Sequence, residues 1–143
     1  MDQIILPGMV TPETLLPGVV HPLEHIQYQR EYANVVPLYS DRRDLLVVIW
    51  CLLPGQENES HMHPESAHAF VILEGEGTYL KGQPGAEGSL DTRVEAGDIV
   101  MIPRGQVHGI RNTGTTPMAY FAITTTAGPY KRIIDGVDIP PHG

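Results

Sequence analysis

Residues 55–75 read Gly55-Gln-Glu-Asn-Glu-Ser-His61-Met-His63-Pro-Glu-Ser-Ala-His68-Ala-Phe-Val-Ile-Leu-Glu-Gly75. Three of the chain's seven histidines, His61, His63 and His68, fall in this stretch. His61 and His63 are two apart, so on an extended strand they share a face. A helix would turn them about 200° apart, which no single ligand could use. Pro64-Glu-Ser-Ala is a turn-like break, and His68 then opens the apolar run Ala69-Phe-Val-Ile-Leu. The pattern predicts a strand, a tight connection and a second strand folding back beside the first. The imidazoles then meet at one point. A lone histidine is ordinarily a surface or hydrogen-bonded core residue. Three converging neutral rings instead suit a first-row divalent metal.

A second segment supports the first. Residues 97–112 read Gly97-Asp-Ile-Val-Met-Ile-Pro103-Arg-Gly105-Gln-Val-His108-Gly-Ile-Arg-Asn112. A short apolar strand ends in Pro-Arg-Gly, a turn signal, and His108 starts the next strand.

Together the two segments resemble the paired motifs of the cupin family. Gly55, His61, His63, position 68 and Gly75 follow the first motif. Gly97, Pro103, Gly105, His108 and Asn112 follow the second with every spacing met. The resemblance covers roughly residues 45–125. It implies a double-stranded β-helix, a jelly-roll barrel, and metal ligands His61, His63 and His108. The family's usual glutamate is replaced here by His68, which fits as a fourth ligand by position only.

The 143-residue length predicts one domain with a real core. We expect an N-terminal arm and edge strands over 1–40, the barrel over 45–125 and a tail over 126–143. Hydrophobic content of 41% with 18% charged residues is that of a globular chain. A net charge of -8 argues against nucleic acid as a partner, because phosphate binding needs a basic face. No apolar run approaches a membrane span, and Met1-Asp-Gln-Ile-Ile lacks the basic start of a signal peptide. The single cysteine, Cys51, excludes an internal disulfide and fits a reducing cytoplasm. It reads as a buried small hydrophobe within Leu45–Leu53.

Pro7, Pro12, Pro17 and Pro22 predict an extended, non-helical arm, of a kind that can lie across a second copy in a homodimer. His21 and His25 read as surface residues. Residues 26–40 predict one or two short strands, with a brief helical turn near Arg30. The run Leu45–Leu53 predicts a strand buried on both faces. Strands are further expected over 77–81, 90–95, 99–102, 107–112 and 118–124, and no long helix anywhere. The class is all-β.

Strand alternation predicts the cavity lining. Glu57 and Glu59 are in phase with His61 and His63, Phe70 and Ile72 with His68, and Ile110 with His108. Trp50, Tyr39, Tyr79 and Tyr120 are further candidates for lining, against an alternative of plain core packing. Glu59 is a candidate general base, with a place on the solvent rim as the alternative. Trp50 and Tyr120 are the other candidate catalytic groups. Arg104 and Gln106 read as turn residues.

Four neutral donors leave the full charge of a dication in place, which favours binding of enolate and alkoxide oxygens. The chain also resembles the small single-cupin polyketide cyclases of bacterial aromatic polyketide pathways, of the resistomycin and tetracenomycin type. The resemblance lies in size, the Pro-rich arm and His61-Met-His-Pro-Glu-Ser-Ala-His68. It implies zinc, with iron, nickel or copper as alternatives. It implies aldol cyclisation and dehydration of a poly-β-ketone chain held on an acyl carrier protein, docked at Arg42-Arg43 or Lys131-Arg132. Two other readings stay open: a dioxygenase acting on a dicarbonyl or phenol, and a non-catalytic or sugar-handling metal-binding protein.

Overall fold

The computed structural model describes residues 18–40, 45–125, 131–134 and 137–139. Pro7, Pro12 and Pro17, Arg42-Arg43 and the rest of the tail lie outside the described residues. The expected all-β class holds. The strands are β1 (Asn34–Ser40), β2 (Leu45–Leu52), β3 (Glu57–Met62), β4 (His68–Glu74), β5 (Glu76–Lys81), β6 (Leu90–Glu95), β7 (Ile99–Ile102), β8 (His108–Arg111), β9 (Met118–Thr125), β10 (Lys131–Ile134) and β11 (Val137–Ile139).

They pair antiparallel in two sheets, ordered β1-β2-β9-β4-β7 and β11-β10-β3-β8-β5-β6. The chain passes repeatedly from one sheet to the other, so β9 sits between β2 and β4 while β8 sits between β3 and β5. This is a double-stranded β-helix. Its interior holds Val48, Leu52, Phe70, Ile72, Ile110, Met118 and Tyr120, each under 9% exposed. Burying each such side chain contributes roughly 1.5–3 kcal/mol.

β2 shows why its sequence has no polar residue. Val48 and Leu52 face the barrel interior. Ile49 and Cys51, each 0% exposed, face outward against Val20, Ile26 and Tyr28. A strand covered on both sides must be apolar throughout. β6 is the opposite case, with Val94 alone buried.

Two expectations about the flanks are corrected. The arm was expected to be free of helix, yet Pro22–His25 forms a short 3-10 helix, and no helical turn stands at Arg30. Proline is tolerated at the first helical position, where its missing N–H would have no partner. The tail contributes β10 and β11, and β10 pairs with β3 beside His61 and Met62. Gly75, at φ +78°, makes the reversal from β4 to β5, and a Cβ there would lie 2.3 Å from the Pro117 carbonyl oxygen. Only glycine fits that point.

Candidate metal centre

Three strand ends deliver four imidazoles to one mouth of the barrel. His61 ends the inward run of β3, and His63 follows just beyond that strand. His108 opens β8 directly opposite His61 in register. His68 opens β4 in the facing sheet. One ring nitrogen each from His61, His63 and His108 lies within 4.8 Å of the others. Their ring centroids are 4.4 Å (His61–His108), 5.0 Å (His61–His63) and 5.8 Å (His63–His108) apart. His68 stands outside that triplet but packs on it, 3.9 Å from the His63 ring and 5.2 Å from the His108 ring.

The surroundings fix which nitrogen faces inward. The Nδ1 of His61 donates to the Glu59 carbonyl at 2.5 Å, and that of His108 to the Gln106 carbonyl at 2.9 Å. A carbonyl only accepts, so Nδ1 carries the proton and Nε2 keeps its lone pair. His68 Nδ1 meets the Thr124 hydroxyl at 2.9 Å. The Nε2 atoms of His68 and His108 are buried with no hydrogen-bond partner. Orphaned buried nitrogens are costly, and a cation between them would relieve that cost.

Burial holds all four rings below the ordinary imidazole range, helped at His63, His68 and His108 by the mutual repulsion of imidazolium charges. His68 is pushed down to about 4 and His108 to about 2. Neutral rings are the form that binds metal. The donor set therefore fits a divalent ion on the chemistry of its own atoms.

The phase expected of β3 is corrected by a β-bulge. Asn58 pairs with Ile110 and His61 with His108, so Glu59 and Ser60 both stand opposite Gly109. The extra residue turns Asn58 inward, where its amide donates to the Tyr120 hydroxyl at 3.2 Å. Glu57 and Glu59 are exposed instead, so Glu59 takes the rim position. The available signal was Gly109 within a strand, because a Cβ there would meet Ser60 at 3.0 Å.

Trp50 and Tyr120 are paired across β2 and β9 and stack with centroids 6.5 Å apart. Tyr120 is 0% exposed. Phe70 touches both groups, 4.9 Å from the Tyr120 ring and 5.9 Å from the His108 ring. Trp50 and Tyr120 thus belong to the inner wall. Phe70, Ile72 and Ile110 face inward as expected. Gln106, read from sequence as a turn residue, also reaches the Tyr79 hydroxyl through its side-chain amide at 2.7 Å.

A family model described as the cupin domain matches residues 48–124, more than half of the chain. The chain belongs to the cupin family. This cupin is 31% identical over 72 residues to the oxalate-binding protein of Thermotoga maritima, covering 50% of this chain and 54% of that one. It thus spans about half the length of that relative. Among solved structures it resembles a double-stranded β-helix protein of Klebsiella pneumoniae, with TM-score 0.70 and 27% identity over 80% of this chain and 96% of that chain. It also resembles a predicted oxalate decarboxylase of Thermotoga maritima, with TM-score 0.56 and 27% identity over 64% of this chain and 78% of that chain. Among the described residues no helix is long and apolar enough to cross a membrane.

Proposed function

We propose that this cupin is a metal-dependent polyketide cyclase, closing rings on a poly-β-ketone chain by aldol addition and dehydration. The observation that carries the reading is the all-imidazole donor set, with His68 where the family motif places a glutamate. His61, His63, His68 and His108 would hold the ion, zinc in first place. A bound divalent ion supplies Lewis acidity, polarising a carbonyl and stabilising an enolate oxygen. Among the described residues the donor set is imidazole alone, so no carboxylate ligand offsets the ion's charge.

Phe70, Ile72 and Ile110 line the same interior as the histidines. An apolar wall folds a flexible chain and excludes water from a reactive polyketone. Glu59, on the rim, is not assigned the proton transfer. Delivery on an acyl carrier protein is part of the proposal.

The test is incubation of the zinc-loaded protein with a linear β-polyketone thioester, following ring formation by mass spectrometry with an oxygen electrode in the same cell. Cyclised product without oxygen uptake is the expected result. Oxygen consumption coupled to substrate loss would replace the reading with a dioxygenase. A second reading is favoured by the oxalate-binding relative at 31% identity: that this chain holds a small dicarboxylate. Micromolar oxalate binding without turnover of the polyketone would support it.

A further inference from the structure

One polar pair beside the histidines remains without a role. Tyr79 lies on β5 opposite Ile110, only 7% exposed, with its ring in the barrel interior. Its hydroxyl is 2.7 Å from the Nε2 of Gln106. The backbone carbonyl of the same Gln106 accepts the Nδ1 proton of His108 at 2.9 Å. One residue therefore holds a ligand imidazole with its main chain and a phenol with its side chain.

Donor accounting shows what this leaves over. A phenol has one O–H and a primary amide two N–H groups. Their mutual bond is donated by the Gln106 amide and accepted by the Tyr79 oxygen, so it uses one of these three. Among the described residues neither side chain has another hydrogen bond. Two donors thus remain on a pair that is tied to His108 through the Gln106 main chain. Burial pushes the Tyr79 phenol up, so it keeps its proton at neutral pH. The chemically similar pair Asn58–Tyr120 differs in place: Tyr120 is 0% exposed and packed against Trp50 and Phe70.

We infer that Tyr79 and Gln106 receive a second oxygen of a substrate whose first oxygen lies at the histidine centre. The substrate class is then a compound with two nearby oxygens, a 1,3-dicarbonyl in its enol or enolate form. This rests on the cyclase reading and narrows it. The pair determines specificity through direct contact and does not hold the metal.

The test is a calorimetric titration of zinc-loaded protein with acetylacetone, with acetone as a one-carbonyl control and zinc content measured on the same samples. Tyr79→Phe keeps the ring and removes the donor. It should weaken acetylacetone binding about tenfold or more, as expected for a hydrogen bond to a charged oxygen, while zinc content stays unchanged. Gln106→Met keeps the main-chain carbonyl for His108 and should weaken the same probe while retaining zinc. Equal acetylacetone affinity in wild type and both variants overturns the inference and leaves the cyclase reading standing. Loss of zinc in both variants also overturns it, because the pair would then serve the metal site. Failure of wild-type protein to bind acetylacetone overturns the 1,3-dicarbonyl reading and this inference together.

Discussion

His108 and Asn112 lie four residues apart, both 1% exposed, and differ in how their polar atoms are met. The Asn112 amide donates to the Leu52 carbonyl at 2.8 Å and the Thr116 carbonyl at 2.9 Å, and its oxygen accepts from the Gly114 N–H at 3.0 Å. Its main chain pairs with Gly55 and Gln56. His108 meets one carbonyl through Nδ1 and leaves Nε2 without a partner. A buried polar group whose bonds are complete holds a fold together, whereas one left incomplete in a cluster of like groups is available to a ligand.

The largest effect should come from breaking the complete end. Asn112→Ala strips partners from two carbonyls and one N–H, and each buried orphan costs roughly 1–3 kcal/mol. We expect a loss of about 3 kcal/mol or more by urea unfolding, with metal stoichiometry of the folded fraction unchanged. Breaking the incomplete end should do the reverse. His108→Ala should lower metal affinity by about 100-fold or more, while its cost to metal-free stability stays below that of Asn112→Ala, because it strips one carbonyl and an orphaned nitrogen goes with the ring. Competition with a chelator reads the first quantity and urea unfolding the second.

Acid sharpens the contrast. His68 is held down to about 4 against an ordinary 6.5. Between those values the unfolded chain takes up protons that the folded chain refuses. Metal-free stability should therefore be full above pH 6.5 and fall as pH drops towards 4. Urea midpoints at pH 7.5, 6 and 5 check the sign. A variant with His68→Leu and His108→Leu should show a flatter profile. The smallest effect concerns Thr124, whose hydroxyl meets His68 Nδ1. Thr124→Val should weaken metal binding about tenfold, as removing a partner behind a ligand does.

The sequence made the clustering of the imidazoles legible for a physical reason. His-x-His on a strand, a Pro-bearing turn and a third histidine opening the next apolar run leave few ways to place the rings. Pro103-Arg-Gly105 likewise announced the turn before His108. What was not legible depended on contacts between distant strands. The bulge at Glu59 and Ser60 exists because β8 presents Gly109 opposite them. Period-2 alternation read along β3 alone therefore put Glu57 and Glu59 in phase with His61 and left Glu59 open between the cavity and the rim. β10 and β11 come from the tail, where the sequence reading placed no strand, and the pairing partner of β10 lies some seventy residues upstream. Gln106 reads as a turn residue and serves as one, but its reach to Tyr79 depends on β5 lying beside β8.

The most direct test of the four-histidine centre is metal content after purification without added metal, measured for wild type, His108→Ala and His68→Glu. A centre of this kind predicts about one divalent ion per wild-type chain, mainly zinc, and nearly none in His108→Ala. His68→Glu should keep its metal, since a carboxylate also ligates, with a shift away from zinc towards iron or manganese. Equally low metal in wild type and both variants would contradict the account, because the converging rings would then be a buried cluster that binds no ion.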